Sequence, residues 1–500
     1  MKLLALTLHL IVSTVPESLD PRLASSQVAQ QISRLVYAPL FILDNNLMPV
    51  PYLAEKVTQK NALTYLITLK KNLFFHNGDK LEAKDVVYTY ENPGQAEIKA
   101  PILSIKALSH QVVEFKLKKP YAPFLNDLSG LGIVSLKETG SGPYVFKKHN
   151  SATETYDLEA FDKWFEGQPK IKNIQIRVIR DANTRLLELI KGKADFASGN
   201  IKAYQLTALE KYPSRLRIEQ TPGLDYAYLA MNLRRPPLSD IRVRKAIAHA
   251  LDIDSILKAK FHGMATRATG LLPKGHWAKD PDLKLIDYNP EKSRKLLKET
   301  GFKLPLKLTL LAGTDRFRQS ISLIYKQQLK QVGIDIEVRV QDWATTYAQM
   351  KQGQFDLYSA IWTPVVEPNL FDWVFHSNRI PSGENAGGNR GAYIDLELDK
   401  LIERAQESSS ISERQRLYFQ IEHRLLEALP YVPLWFEDNI TITNKRLMGF
   451  EPTRNCSFLP LTHAYLTLNL SPPSGEGLEN KIPPLQLLER GPGGEVPHDI

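Results

Sequence analysis

Along this chain, short runs in which apolar and polar residues alternate give way repeatedly to runs with apolar residues three and four apart. That pattern predicts strands interleaved with amphipathic helices. Residues 27–40 carry Val28, Ile32, Leu35 and Val36 at helical spacing. Residues 65–70 and 112–118 alternate as strands, separated by an Asn77-Gly78-Asp79 turn and a helix over 83–90, and Pro120 and Pro123 end the second run. Residues 138–143, rich in Gly and Ser, read as a crossing between domains. A strand is predicted over 174–179, a helix over 184–191 ending at Gly192, and a strand over 226–232 leading to Pro236-Pro237. Helices follow over 241–251, 254–261 and 290–300. A β-α-β unit spans 306–311, 319–332 and 335–340, and 396–429 is helical with a break near Ser408-Ser409-Ser410. No internal repeat is visible.

The most informative stretch is 341–371, read as strand, helix, strand and loop, with Trp362 where the last strand runs out. In open α/β sheets the crevice beyond the strand ends is where ligands bind. Trp343 opens the helix of this stretch and is expected in the core.

With 500 residues, 43% of them hydrophobic and 24% charged, the chain can bury a large core and is too long for one compact domain. The net charge of +9 is dispersed in short clusters such as Lys70-Lys71 and 242–245, which suits a solvated surface and not a nucleic-acid groove. A single cysteine, Cys456, permits neither an intramolecular disulfide nor a cysteine metal site. No apolar run reaches the length of a membrane span. Near the start, Lys2 followed by an apolar run looks like a secretion signal but lacks a small-x-small cleavage site, and His9 interrupts it. The competing reading, a buried strand over 8–13, is preferred, and a signal shortened or lost upstream of Met1 would accommodate both. Residues 471–500, with Pro472-Pro473, Pro483-Pro484 and Gly491-Pro492-Gly493-Gly494, are expected to be disordered. There is no H-E-x-x-H, G-x-S-x-G, phosphate-binding loop or dinucleotide fingerprint, so nothing asks for catalysis, a metal or a cofactor.

Several motifs occur in one order: Ser18-Leu19-Asp20-Pro21; Leu73-Phe74-Phe75-His76-Asn77-Gly78-Asp79, then Ala83-Lys84-Asp85-Val86-Val87-Tyr88; Pro120-Tyr121-Ala122-Pro123-Phe124; and Gly142-Pro143-Tyr144. Asn232-Leu233, Pro236-Pro237-Leu238-Ser239-Asp240-Ile241-Arg242, Tyr288-Asn289-Pro290-Glu291-Lys292 and the stretch from Asp342-Trp343 to Trp362 follow. In this set the chain resembles the extracytoplasmic solute-binding proteins of ABC importers, family 5, which include oligopeptide- and dipeptide-binding proteins. The resemblance implies an α/β, two-lobed periplasmic-binding-protein fold (type II, cluster C) with an extra β-rich domain inserted in lobe one. Lobe one would comprise 1–40, 140–224 and 450–470, the insert 41–139, and lobe two 225–449. It also implies a monomer in the periplasm or another extracytoplasmic space, which closes on a short peptide and delivers it to an ABC permease; the alternatives are a non-peptide solute such as a sugar or metal chelate, or a non-transport sensor with the same fold.

In this family the loop after the tryptophan usually supplies an acid for a peptide's free amine. Here Trp362 is followed by Thr363-Pro364-Val365-Val366-Glu367-Pro368, and Val365 occupies the acid's position. A buried ammonium without a counter-charge costs several kcal/mol, roughly 3 to 5 when one member of a buried pair is lost. Glu367 or Asp372 reaches the amine instead, or the solute has no free amine, or the pocket is degenerate. Main-chain contacts are expected around Thr363 and Val365. Arg390 could hold a carboxylate bidentately or be a surface arginine. Ser25 and Gln27 match the lobe-one segment that lies along the ligand, or simply cap a helix. Tyr121 borders the cleft or packs beneath Pro120 and Pro123.

Overall fold

The computed structural model describes residues 6–467, except 97, 200, 202–204 and 384–385. The tail at 471–500 lies outside the described residues, as does the start of the signal-like run.

Strand Thr7–Val12 sits inside a large mixed sheet, parallel to Asn173–Val178 and to Phe196–Ser198. Leu8, Leu10 and Val12 enter one core and Ile11 another. Both faces are therefore covered, which is why the strand is apolar but for Thr7 and His9. Beyond Asn173–Val178 the sheet continues antiparallel through Thr155–Ala160 to Tyr144–Asn150. At its other end, Leu306–Ala312 lies parallel between Ile334–Val340 and Leu357–Trp362.

Two long antiparallel strands, Leu216–Met231 and Tyr431–Asn444, belong to both ends and join them into a two-lobed molecule. The sequence pattern predicts only the second half of the first of these. Polar residues Arg217, Glu219, Gln220 and Thr221 and the Pro222-Gly223 pair hide the rest, and the ladder shifts register between Thr221 and Asp225. There Gly223 is indispensable, because a Cβ on it would stand 1.7 Å from the Glu437 carbonyl oxygen.

A separate four-stranded antiparallel sheet, in the order Ala54–Asn61, Thr64–Leu69, Val112–Leu117, Ile102–Ala107, lies between the first strand and Tyr144–Asn150 in sequence. Val113, Phe115 and Leu117 alternate inward and pack with Ile67, Val86 of helix Ala83–Glu91, and Phe124. Its loop reaches the opposite lobe: the Ala122 N–H donates to the Gln406 carbonyl at 2.7 Å.

The helical stretch near the C-terminus divides where the three serines fall. Helix Leu396–Glu407 ends at Ser408, and the Ser410 hydroxyl accepts from the Glu413 N–H at 3.3 Å to start Ile411–Ala428. The helix expected over 254–261 is α-helical over Ile253–Ile256 and continues as a π-turn over Leu257–Phe261. Among the described residues no helix is long and apolar enough to cross a membrane.

Candidate functional site

Trp362 ends strand Leu357–Trp362 and pairs with Tyr226 of the first crossover strand. Tyr226 and Tyr228, two apart on that strand, point to one face. The Trp362, Tyr228 and Tyr431 rings form a near-parallel series, with centroids 6.1 and 4.5 Å apart and 9° between planes in each step. Trp362 is half-buried, and its indole N–H is withdrawn from solvent without a partner.

Arg390 lies against this aromatic wall, 5.4 Å from the Trp362 ring centre and 5.0 Å from that of Tyr347. It is 6% exposed, so it is not a surface arginine. No carboxylate among the described residues pairs with it; the polar groups around it are the phenols of Tyr358, Tyr228 and Tyr431, and its Nε–H has no acceptor. A guanidinium so placed has attractive aromatic faces but no counter-ion.

The loop after Trp362 is pinned at every step. Thr363 is exposed, and its hydroxyl donates to Asp225 on the crossover. Val365 is fully buried in the lobe-two core, and its N–H donates to the Leu224 carbonyl at 2.9 Å. Neither its side chain nor its N–H is left for a ligand, which corrects the expectation for this position. The Val366 carbonyl accepts from His276 Nε2 at 2.9 Å, while His276 Nδ1 accepts from the Ala278 N–H at 3.0 Å. Burial drives the His276 pKa down to about 4, so the ring is neutral and its tautomer is set by those two bonds.

Both candidate replacement acids already have cations. Glu367 pairs with Arg414 at 2.7 Å, the two side chains 14% and 9% exposed. Arg414 in turn lies over the Trp277 ring at 4.8 Å. Asp372, in helix Leu370–Phe375, pairs with Arg379 at 2.6 Å. Neither is a free counter-charge for a ligand ammonium.

On the other lobe, Ser25 and Gln27 are exposed. Ser26, not Ser25, caps helix Gln27–Val36, its hydroxyl accepting from the Ala29 N–H at 3.2 Å. The Ser25 N–H and O–H both go to Glu17. Burial pushes the Glu17 carboxyl up, but the Ser25 and Ser26 donors outweigh it and hold its pKa at about 2.

Tyr121 was left between the cleft and packing beneath Pro120 and Pro123, and Asp127 had no reading in the sequence. Tyr121 is 7% exposed and stands beside Asp127, Asn369 and Glu367, at the contact between the inserted sheet and lobe two. Asp127 is pushed up to about 7 by burial, with Glu367 adding to the shift. The strand carrying Tyr226 and Tyr228 was read from the sequence but their stacking was not, and nothing near Asp127 marks it. Trp343 departs from expectation: it is 61% exposed, because it begins helix Trp343–Gln352 beyond the end of the core, with its ring beside that of Tyr347 one turn on.

A family model for bacterial extracellular solute-binding proteins, family 5, middle region, matches residues 48–381. The chain is 27% identical over 491 residues to the oligopeptide-binding protein AppA of Bacillus subtilis, covering 88% of each chain. It is 27% identical over 466 residues to the glutathione-binding protein GsiB of Shigella flexneri, covering 87% of this chain and 89% of that one. The structure of AppA in complex with a nonapeptide aligns with a TM-score of 0.74 at 25% identity, over 92% of this chain and 99% of that one. That of NikZ from Campylobacter jejuni in complex with Ni(L-His) aligns at 0.75 and 25%, with the same coverage.

Proposed function

The chain belongs to the bacterial extracellular solute-binding proteins of family 5, and we propose that it is the substrate-binding component of an ABC importer, closing its two lobes on a short peptide for delivery to a permease. The observation that carries the ligand assignment is Arg390, a buried guanidinium without a carboxylate, set against Trp362. A peptide's C-terminal carboxylate supplies the missing counter-ion through a charge-assisted, bidentate contact, and the peptide body stacks on the Trp362 face.

The same site offers nothing comparable to the amino end. Val365 is inside the core, and Glu367 and Asp372 are neutralised by Arg414 and Arg379. Of the three explanations for the missing loop acid, this favours a solute held without its amine, so a blocked N-terminus is tolerated. Thr363, Ser25 and Gln27 stay in the site as exposed polar groups lining the path of the bound chain.

The ligands named for AppA and GsiB support a peptide. A metal chelated by an amino acid, as in the NikZ complex, also presents a carboxylate, and Arg390 makes this the second reading. We assign residues 1–40, 140–224 and 450–470 to lobe one, 41–139 to the insert and 225–449 to lobe two. The protein acts as a monomer outside the cytoplasm, without catalysis or cofactor.

Thermal-shift screening of the full chain against di- to pentapeptides, N-acetylated peptides, sugars and nickel–histidine tests this reading. Stabilisation by peptides with a free carboxylate, N-acetylated ones included, is the expected result. Stabilisation by sugars alone, or by no peptide, would overturn it.

A further inference from the structure

Away from the aromatic wall, a cavity of about 430 Å³ opens where helix Gln27–Val36, strand Phe41–Leu43 and the returning chain at 449–463 meet. No residue between 167 and 448 lines it, so the cavity is separate from the Trp362–Arg390 site. Its volume falls within the range of roughly 300–1,000 Å³ common for small-molecule sites.

Arg34, in the last turn of the helix, lines this cavity. Several guanidiniums elsewhere in the chain have acceptors: Arg244 donates to the Leu238, Ser239 and Ala428 carbonyls, Arg414 pairs with Glu367, and Arg446 pairs with Asp195, although Arg390 lacks a counter-ion. Arg34 has no such acceptor among the described residues. Its side chain is part-buried; the lost hydration pushes its pKa down, and no carboxylate acts to raise it. The cavity's two acids, Glu166 and Glu451, are exposed and leave Arg34 unpaired. Ile42, Leu43, Leu459 and Pro460 provide an apolar wall.

We propose that this cavity is a second ligand site, which binds a small organic acid carrying one carboxylate on Arg34 and an apolar body against that wall. The two rim acids select against polyanions: a second negative charge would face Glu166 or Glu451, whereas an ammonium on the same molecule would be welcomed there. Simple monocarboxylates and apolar amino acids therefore fit, and phosphate and dicarboxylates do not.

The test is calorimetric titration of the full chain with benzoate, L-phenylalanine, succinate and inorganic phosphate, repeated on Arg34→Met and Arg390→Met. Benzoate and L-phenylalanine are expected to bind wild type and Arg390→Met alike and to lose at least tenfold in affinity in Arg34→Met, with succinate and phosphate binding none of the three. Arg34→Met removes an unpaired charge, so its melting temperature should be no lower than wild type, which keeps loss of binding separate from loss of fold. Equal binding by Arg34→Met and wild type, binding lost in Arg390→Met instead, an Arg34-dependent affinity for phosphate, or no monocarboxylate binding at all would each overturn the proposal.

Discussion

Glu367 and Arg414 form an ion pair at 2.7 Å with both side chains almost wholly withdrawn from water, and this pair closes the loop that follows Trp362. Arg414 also donates to the Ala405 carbonyl at 3.2 Å, so the pair ties the loop to both helices near the C-terminus. Breaking a buried pair from one side leaves an uncompensated charge, which costs about 3–5 kcal/mol. Glu367→Gln is expected to lower unfolding free energy by that order in urea denaturation while changing peptide affinity less than threefold. A large loss of peptide affinity with unchanged stability would show that Glu367 serves the ligand.

Asp127 gives the protein a pH dependence of definite sign. Its folded pKa, about 7, lies above the ordinary value of 3.8 because burial penalises the carboxylate. Both states are protonated well below 3.8. Between about 4 and 7 the unfolded chain has lost the proton and the folded chain still holds it, so stability falls as pH rises and the loss is complete above 7. Lys99 and the neighbouring Tyr121 hydroxyl partly offset the effect, while Glu367 faces the group from across the contact and adds to it. Asp127→Asn is expected to flatten the stability profile between pH 4 and 7 and to raise the melting temperature at pH 8. An unchanged slope would place the titration elsewhere.

At the crossover, the Gly223 backbone approaches Glu437 too closely for any side chain, with a hypothetical Cβ 1.7 Å from the carbonyl oxygen. Gly223→Ala forces the two long strands apart where they shift register, and overpacking of this kind costs about 1–3 kcal/mol. Denaturation should report that loss, and a variant as stable as wild type would mean the crossover accommodates the methyl group freely.

What the sequence made legible was set by periodicity. The β-α-β unit, the paired helices split at 408–410 and the alternating strands of the insert follow from local pattern. Each appears within a few residues of its expected bounds. Strand Leu216–Met231 was only half legible because its first portion carries polar residues, most of them part-buried, and a glycine kept for close approach. Trp362 was placed correctly at its strand end, since a strand's end is a local property. Whether Val365 pointed inward was not, because a one-residue change in loop length reverses which side chain faces the core. The partners of Glu367 and Asp372 depend on side chains brought together by folding, and no spacing announces them.

The proposed recognition of the solute depends on Arg390. Titration calorimetry of an N-acetylated tetrapeptide into wild type and Arg390→Met, with the same peptide amidated at its C-terminus, tests it most directly. Losing a desolvated, hydrogen-bonded charge contact costs about 2–5 kcal/mol, or roughly 30-fold or more in Kd. The free acid should bind wild type and weaken by at least that factor in Arg390→Met, and the amide should bind both weakly and equally. Free acid and amide binding wild type with the same Kd, undisturbed by Arg390→Met, would contradict the proposed mode of recognition.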